Sequence, residues 1–473
     1  MRFVTWLRRF FGAQDMTQGS PMSCLLKFSI PLLIGNIAQQ LYSTVDAMVI
    51  GQSSWKDTGL AAVGLATPIV NLLLVLFMGI STGASILSAQ YFGAKDRPTL
   101  NRTVGASLFL IFVSSAIMMG VGYFVSPLLT TLTAPPSEEI AQGATAYLQI
   151  YFLGILGCGM YNILSGILRG LGDSVMPLLF LLVACVLNIF LDLLLVESMG
   201  VAGVALATII AQAVSAALCL WRICTLKKVC DVEMRHVLHP DRKLMLKIGA
   251  LGLPAGLTQA VFSTSAIIVQ RLTSQLGEAM IAANTAVMRV DGFAMMPNFT
   301  FGTAATTYIG QNVGAGKGER LKLGLKATMI LALASSTIMV TGILIFGRGL
   351  IGMFTETELT LNLGVQGLQT LAFGYICFSV TQVLQGTMRG AGETQVPMWI
   401  SFFTTVVLRL PLAYLLAYLT RTPGADSAWP HGRPSALFVS LLTSWVVAML
   451  LSIITYRMKW WRKKLPNNLG NEL

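Results

Sequence analysis

Long stretches without a charged side chain constrain this sequence more than any other feature. Eight stretches of 21 to 35 residues contain no Asp, Glu, Lys or Arg. An α-helix needs about 20 residues to cross the hydrocarbon core of a bilayer, so each stretch is long enough to span a membrane. They are residues 60–94, 103–137, 140–168, 198–221, 248–270, 327–347, 359–388 and 434–456. Four further apolar stretches hold one or two charges each, at 26–50, 175–197, 279–309 and 396–419.

Composition agrees with this pattern. Only 11% of the residues are charged and the mean hydropathy is +0.72, whereas soluble domains carry about 25% charged residues. We therefore predict an all-α integral membrane protein with twelve transmembrane helices. This composition excludes a soluble enzyme or a soluble binding domain.

The distribution of basic residues predicts the topology. Loops rich in Lys and Arg stay on the cytoplasmic side of a membrane. Alternate loops, taken together with both termini, hold 25 of the 32 Lys and Arg residues. We therefore predict a multi-pass protein of the cell membrane with both termini in the cytoplasm. Basic loops facing anionic lipid explain the net charge of +12, and no nucleic-acid partner is predicted. Residues 1–14 are predicted to form a short helix on the cytoplasmic membrane face.

An internal repeat organises the chain. Residues 161–177, YNILSGILRGLGDSVMP, match residues 381–397, TQVLQGTMRGAGETQVP, at an offset of 220. Residues 89–97 likewise match 310–318 at an offset of 221. Each half holds six spans, so the two halves form pseudo-symmetric six-helix bundles that enter the membrane in the same direction. The predicted domains are a cytoplasmic N-terminal segment (1–24), an N-lobe with spans 1–6 (25–224), a cytoplasmic linker (225–243), a C-lobe with spans 7–12 (244–458) and a basic cytoplasmic tail (459–473).

Polar side chains within the spans are the candidate functional residues. Asn188 and Asp192 lie one helical turn apart in the otherwise apolar stretch 175–196, so they share one helix face. Their repeat positions are Leu408 and Leu412, so the architecture of the span does not require them. A charge at bilayer depth costs at least about 2.5–3.5 kcal/mol on insertion scales and usually has a function.

The first span adds a second carboxylate, Asp46, which also has no charged counterpart in the repeat. When two carboxylates share a partly dry site, ionising both is unfavourable, so the pKa of one of them rises towards neutrality. That carboxylate can then bind and release a proton. Alternatively, sodium would bind oxygen atoms of Asp46, Asn188, Asp192 and the Thr208 hydroxyl of the next span. The sequence does not choose between proton and sodium. A purely structural role, in which the carboxylates hydrogen-bond to neighbouring helices, is the remaining interpretation.

The C-terminal half carries a different set of polar residues. Arg289 and Asp291 are two residues apart, so they do not face each other on a regular helix. One interpretation is that both pair with polar groups of other helices in a structural role, and the other is that the Asp291 carboxylate faces the substrate. Asp291, Arg409 and Met288 are therefore candidate residues of a substrate cavity. Arg409 is predicted to neutralise or orient polar groups there, and methionine suits an adaptable binding surface.

These motifs together resemble those of the multidrug and toxic compound extrusion (MATE) transporters. The resemblance rests on LLKFSIPLLIGNIAQQLYSTVDAMVIG in the first span, the paired loops RGLGD and RGAGE, NIFLD with GVAGVALAT, and RLPLAYLL. It covers residues 17–460 and implies an antiporter of two six-helix lobes that exports organic, often cationic compounds by alternating access while protons or sodium flow inward.

The resemblance also assigns the site residues. In bacterial and archaeal members of the family, the positions matching Asp46, Asn188, Asp192 and Thr208 carry the cation or proton site of the N-lobe. Another branch of the family keeps acids in the seventh and tenth spans, whereas residues 248–272 and 359–388 contain none here. A C-lobe cation site is therefore not implied.

The predicted function is a proton- or sodium-coupled antiporter that exports organic, amphipathic cationic compounds. Its predicted partners are the organic substrate, the coupling ion and the lipid bilayer, and we predict a monomer without a cofactor. Two alternatives stay open. One is a flippase for lipid-linked or other amphipathic substrates, and the other is an intramembrane enzyme that uses Asp46 and Asp192 as an acid/base pair.

Overall fold

The computed structural model describes residues 14–52, 55–133, 137–227, 229–422, 432–459, 461–462 and 465. All long regular elements within these ranges are helices, which confirms the all-α fold. They are α1 (Pro21–Gln52), α2 (Lys56–Gly93), α3 (Arg97–Leu132), α4 (Glu138–Leu153), α5 (Ile155–Gly170), α6 (Val175–Met199), α7 (Val201–Thr225), α8 (Met234–Leu238), α9 (Arg242–Gln275), α10 (Glu278–Gly314), α11 (Gly318–Gly352), α12 (Glu358–Gly390), α13 (Gln395–Phe402), a π-helical segment (Phe403–Arg409), α14 (Leu410–Thr420) and α15 (Ser435–Arg457). The predicted helix of residues 1–14 and most of the predicted C-terminal tail lie outside the described residues.

Each of the twelve predicted spans coincides with a helix or with a pair of consecutive helices. In the described part of the chain, ten helices are long and apolar enough to cross a membrane, and α4 with α5 brings the number to eleven. The remaining predicted span, the eighth along the chain (279–309), lies in α10, whose 37 residues suffice in length but which is not among those apolar helices. The chain is therefore a multi-pass membrane protein, and α10 differs from the other spans in its lower apolar content.

The fourth span is broken at Gly154, where α4 and α5 meet at an angle of 54°. The break brings this segment close to α7. A Cβ atom on Gly154 would lie 2.3 Å from the Cβ atom of Ile209, so only glycine permits this approach. The eleventh span is also irregular, because the π-helical segment separates α13 from α14. The sequence predicted one uninterrupted helix at both places.

By their internal contacts, the described residues form two compact units. The first comprises residues 14–19, Leu26–Gly256 and Gly310–Ala315. The second comprises Ser20–Leu25, Leu257–Ile309 and the described residues from Gly316 onward.

The boundary between the units lies within α9 because the first part of that helix packs on α2. A Cβ atom on Gly79 would lie 2.8 Å from the carbonyl oxygen of Gly252, and one on Gly256 would lie 3.0 Å from that of Val75. Such close backbone approaches keep residues up to Gly256 in the first unit. The core of the second unit surrounds the aromatic side chains of Tyr375, Phe378 and Trp445.

The first unit also contains a hydrogen-bonded assembly that we call the N-terminal clasp, made of residues 14–17 with Gln311 and Asn312. Gln311 is fully buried, and its side-chain oxygen accepts a hydrogen bond from the Met16 backbone N–H at 2.9 Å. Its side-chain nitrogen donates to the carbonyl of Gly170, the last residue of α5, at 3.0 Å. Asn312 Nδ2 donates to the Met16 carbonyl at 3.2 Å. The clasp thus joins the N-terminal segment, the end of α5 and the end of α10 on the side of the basic loops.

Glycines allow the helix ends around the clasp to touch. A Cβ atom on Gly314 would lie 1.8 Å from the carbonyl oxygen of Gln90, and one on Gly93 would lie 1.8 Å from that of Gln311. These four residues are the repeat pairs recognised in the sequence. The repeated Gln and Gly are therefore a packing motif in which the ends of α2 and α10 approach each other at backbone distance.

Candidate functional site

The polar residues of the fifth and sixth spans lie on an antiparallel helix pair. Helices α6 and α7 are joined at Gly200, which adopts the left-handed region at φ +58. Near this turn, a Cβ atom on Gly203 would lie 2.5 Å from the Leu195 carbonyl oxygen. Deeper in the pair, Ser215 Oγ donates to the Phe180 carbonyl at 2.8 Å. These two contacts fix the register of the pair.

This register brings two of the predicted residues to the same level. Asn188 on α6 falls opposite Thr208 on α7, and Asp192 lies one turn nearer to Gly200. At a rise of about 1.5 Å per residue, Asp192 is roughly 12 Å from the turn, well inside a bilayer core. Asn188 and Asp192 are both 0% exposed, and neither of them is without an interaction partner.

A small apolar cluster places the first span beside this helix pair. Ile50 of α1, Val196 of α6 and Val204 of α7 form a buried cluster. Spans one and five cross in the same direction, so residues four positions before Ile50 and Val196 also fall at a common level. Those residues are Asp46 and Asp192. The backbone thus places position 46 in the same layer as Asp192, although the side chain of Asp46 lies outside the described part of the structure.

The layer of positions 46, 188, 192 and 208 is closed on the side of the Gly200 turn by the Ile50 cluster. Thr208 is half-buried, and its hydroxyl donates to the Val204 carbonyl at 3.0 Å, so its oxygen acts towards other groups as an acceptor. Amide, carboxylate and hydroxyl oxygens are suitable ligands for a hard cation, and a carboxylate can instead take up a proton. Within the described residues, no group of three or more His, Cys, Asp or Glu is placed to hold a metal ion.

The candidate residues of the C-terminal half are partly brought together. Asp291 of α10 interacts electrostatically with Arg409, the last residue of the π-helical segment. Met288 lies one turn before Asp291 and is 54% exposed, and its sulfur accepts a hydrogen bond from Asn284 Nδ2 at 3.6 Å. Arg289 is exposed, whereas Asp291 is half-buried.

Sequence reasoning missed Tyr375 of α12, which faces Asp291 and is 1% exposed. It also missed the polar pair beside it, in which Ser336 Oγ donates to Asn298 Oδ1 at 2.7 Å. A tyrosine among many apolar residues gives no distinctive signal. The asparagine in the stretch MMPNFTF of α10 was a signal that could have been followed.

The paired loops differ in structure despite their sequence match. In the RGLGD loop, the carboxylate of Asp173 accepts two hydrogen bonds from the Arg222 guanidinium at 2.9 and 3.0 Å. In the RGAGE loop, Glu393 accepts hydrogen bonds from the backbone N–H groups of Gln395 and Val396 at 2.9 and 3.1 Å. Both acids therefore stabilise the start of the following helix, and only Asp173 also holds the end of α7.

Comparisons with known proteins agree with this architecture. The model of the MatE family matches residues 31–194 and 254–415. The probable multidrug resistance protein YpnP of Bacillus subtilis is 30% identical over 95% of this chain and 98% of its own length. The probable multidrug resistance protein NorM of Thermotoga maritima is 26% identical over 88% of this chain and 90% of its own length.

Solved structures show the same fold. A transporter of the MOP superfamily from Pyrococcus furiosus superposes with a TM-score of 0.85 at 23% identity, covering 94% of this chain and 97% of that one. A multidrug resistance MATE family transporter described as outward-facing gives the same score, identity and coverage. Because the family model matches more than two thirds of the residues and a relative at 30% identity is covered almost completely, the chain belongs to the MATE family of membrane transporters.

Proposed function

We propose that this transporter exports organic, amphipathic cationic compounds in exchange for protons or sodium ions that flow inward. The observation that carries the proposal is the layer of positions 46, 188, 192 and 208. Two fully buried polar side chains, Asn188 and Asp192, lie in it at bilayer depth, and their repeat positions are leucines. Buried polar groups of this kind are expensive in a membrane and are retained for function.

The coupling ion is the proton or sodium cargo that this layer would bind. Loading the layer changes the charge between α1, α6 and α7, and a ligand shifts a conformational equilibrium by its difference in affinity for the two states. We expect the loaded and unloaded layer to favour different states of an alternating-access cycle. Release of the organic substrate on one side of the membrane is then linked to ion entry from that side.

The proposal includes the membrane arrangement predicted from the basic loops. The protein acts as a monomer in the cell membrane with both termini in the cytoplasm. The substrate cavity includes Asp291, Arg409 and Met288 of the C-terminal half. The relatives named as multidrug resistance proteins support export of drug-like organic molecules and do not favour the flippase alternative.

Efflux from reconstituted vesicles tests the proposal. Ethidium efflux is measured with a proton gradient or a sodium gradient imposed separately, for the wild type, Asp192→Asn and Glu197→Gln. Glu197 lies on the same helix and is exposed, so its variant controls for the loss of a carboxylate from α6. We expect efflux that follows one gradient, persists in Glu197→Gln and is lost in Asp192→Asn. Gradient-driven efflux that Asp192→Asn retains in full would refute the assigned site.

A further inference from the structure

A cluster of three polar side chains lies in the second unit, away from the layer described above. Asp291 comes from α10, Tyr375 from α12 and Arg409 from the end of the π-helical segment. The Tyr375 hydroxyl approaches the Asp291 carboxylate as a weak hydrogen-bond donor, without the geometry of a normal hydrogen bond, and the Arg409 guanidinium attracts the carboxylate by its charge. Three separate helical elements therefore direct one acceptor, one hydroxyl and one cationic donor at a common point.

The cluster does not satisfy its own hydrogen-bonding groups. Asp291 Oδ1, Tyr375 Oη and Arg409 Nε are buried atoms that have no hydrogen-bond partner among the described residues. Most buried polar atoms in native structures have a partner, so each exception requires an explanation. A closed ion pair would use these atoms, as Asp173 and Arg222 do. In this cluster, by contrast, one buried atom of each of the three side chains lacks a normal hydrogen bond.

The neighbouring polar groups are engaged elsewhere and do not complete the cluster. Asn298 receives the hydroxyl hydrogen bond of Ser336 at 2.7 Å. Its own Nδ2 lies 3.5 Å from the backbone carbonyl of Tyr375. These contacts hold α12 against α10 and leave the Tyr375 hydroxyl directed at Asp291. The side chains of Asp291 and Arg409 are half-buried, so other parts of both side chains lie at the surface beside the buried atoms.

An aromatic surface adjoins the cluster. The ring of Tyr375 lies 5.6 Å from that of Trp445, and the ring of Phe378 lies 5.6 Å from Trp445. Phe299 meets Phe378 edge to face at 5.5 Å and is itself 44% exposed. A planar apolar group can pack on such a surface while its polar end reaches the cluster.

The π-helical segment that ends at Arg409 is specific to this half of the chain. The matching residues of the first half, at the offset of 220, lie within the regular helix α6. Segments of this kind add a residue to a helical turn, displace the side chains that follow, and occur often at functional sites. The irregularity therefore changes the direction of Arg409 relative to that of a regular helix.

We propose that Asp291, Tyr375 and Arg409 bind the polar end of the transported molecule and select a head group that carries both a donor and an acceptor. The proposal rests on the transport function proposed above. A head group with a single positive charge would be attracted by Asp291 and repelled by Arg409, so its charge adds little affinity at this cluster. Among the organic compounds proposed above as substrates, those that also carry a hydrogen-bond acceptor are therefore favoured. A zwitterionic head group donates to Asp291 and accepts from Arg409 and Tyr375, and these are charge-assisted hydrogen bonds.

A matched pair of dyes tests this selectivity. A rhodamine with free amino groups and a free carboxylate is zwitterionic, whereas its methyl ester is a cation with the same planar ring system. KM for gradient-driven efflux of each dye is measured in vesicles for the wild type, Arg409→Gln and Tyr375→Phe. In Arg409→Gln we expect KM of the zwitterion to rise about tenfold or more, as for the loss of one charge-assisted hydrogen bond. KM of the ester should stay within about twofold.

Tyr375→Phe keeps the aromatic packing and removes only the hydroxyl. A change in KM for this variant therefore reports the loss of a binding contact and not a folding defect. It should raise KM of the zwitterion by about threefold or more and leave that of the ester unchanged. Fluorescence anisotropy of each dye with the purified protein measures the ratio of the two binding affinities without a gradient. It can therefore also be used for a variant that reconstitutes poorly into vesicles.

The outcomes separate this inference from the proposed function. If the ester is exported in a gradient-dependent manner but the ratio of the two KM values is the same in all three proteins, the cluster holds only water and the inference is wrong. If neither dye is exported while anisotropy shows the predicted selectivity, the cluster binds a zwitterion and the proposed transport cycle is wrong. Equal affinity for both dyes in the wild type would also overturn the inference.

Discussion

The N-terminal clasp predicts a measurable effect of replacing Gln311. In Gln311→Leu the side chain keeps a similar volume but loses both hydrogen bonds, to the Met16 N–H at 2.9 Å and to the Gly170 carbonyl at 3.0 Å. A buried group left without its partner costs about 1–3 kcal/mol. The two together therefore weaken the closed clasp by at least about 2 kcal/mol, and each 1.4 kcal/mol corresponds to a factor of about ten in population.

Hydrogen–deuterium exchange of the Met16 amide measures this opening directly. The amide exchanges when the clasp opens, so its protection reports the closed population. We expect Gln311→Leu to accelerate exchange at Met16 more than tenfold. Gln366→Leu is the matched control, because Gln366 is exposed on α12 and its replacement should leave exchange at Met16 unchanged. Equal protection of Met16 in Gln311→Leu and the wild type would refute the role of the clasp.

Three further predictions concern the same side of the molecule. Asp173→Asn removes the buried carboxylate that binds half-buried Arg222, so a loss of about 1–3 kcal/mol should lower Tm in a thermal-shift assay. An unchanged Tm would contradict this. Burial raises the pKa of Cys230 to about 12, so roughly one thiol in 10⁴ is ionised at pH 8. A maleimide should therefore modify exposed Cys224 in the folded protein and modify Cys230 only after denaturation. Mass spectrometry of the labelled peptides measures the modification at each cysteine. Gly314→Val would place Cβ 1.8 Å from a backbone oxygen of α2, so the yield of folded protein in gel filtration should collapse.

The sequence predicted the spans well because lipid imposes a simple rule on them. A stretch without charge that is long enough to cross a bilayer becomes a helix, since every backbone N–H and C=O must find a partner within the segment. The break at Gly154 was not predicted because the contact with Ile209 that requires a glycine there is a tertiary contact. The π-helical segment that ends at Arg409 likewise carries no proline or glycine that would mark it.

The repeat identified residues with a structural role, but it did not predict the contacts that these residues make. Gln90 and Gln311 were matched as repeat partners, but the partner of Gln311 in the clasp is Met16, 295 residues away along the chain. The polarity of Asn188 and Asp192 against their leucine counterparts pointed to a buried site, and both are fully buried. That position 46 lies at their level is inferred only from the register of three helices, which no spacing within one span reveals.

Ion release tests whether the layer around Asp192 binds the ion that is exchanged for substrate. Ethidium is added to the purified protein, and release is recorded with a pH indicator in weak buffer and separately with a sodium indicator. We expect the wild type and Glu197→Gln to release one of the two ions in proportion to bound substrate, and Asp192→Asn to bind ethidium but release neither. Undiminished ion release from Asp192→Asn would mean that the coupling ion binds elsewhere in the protein.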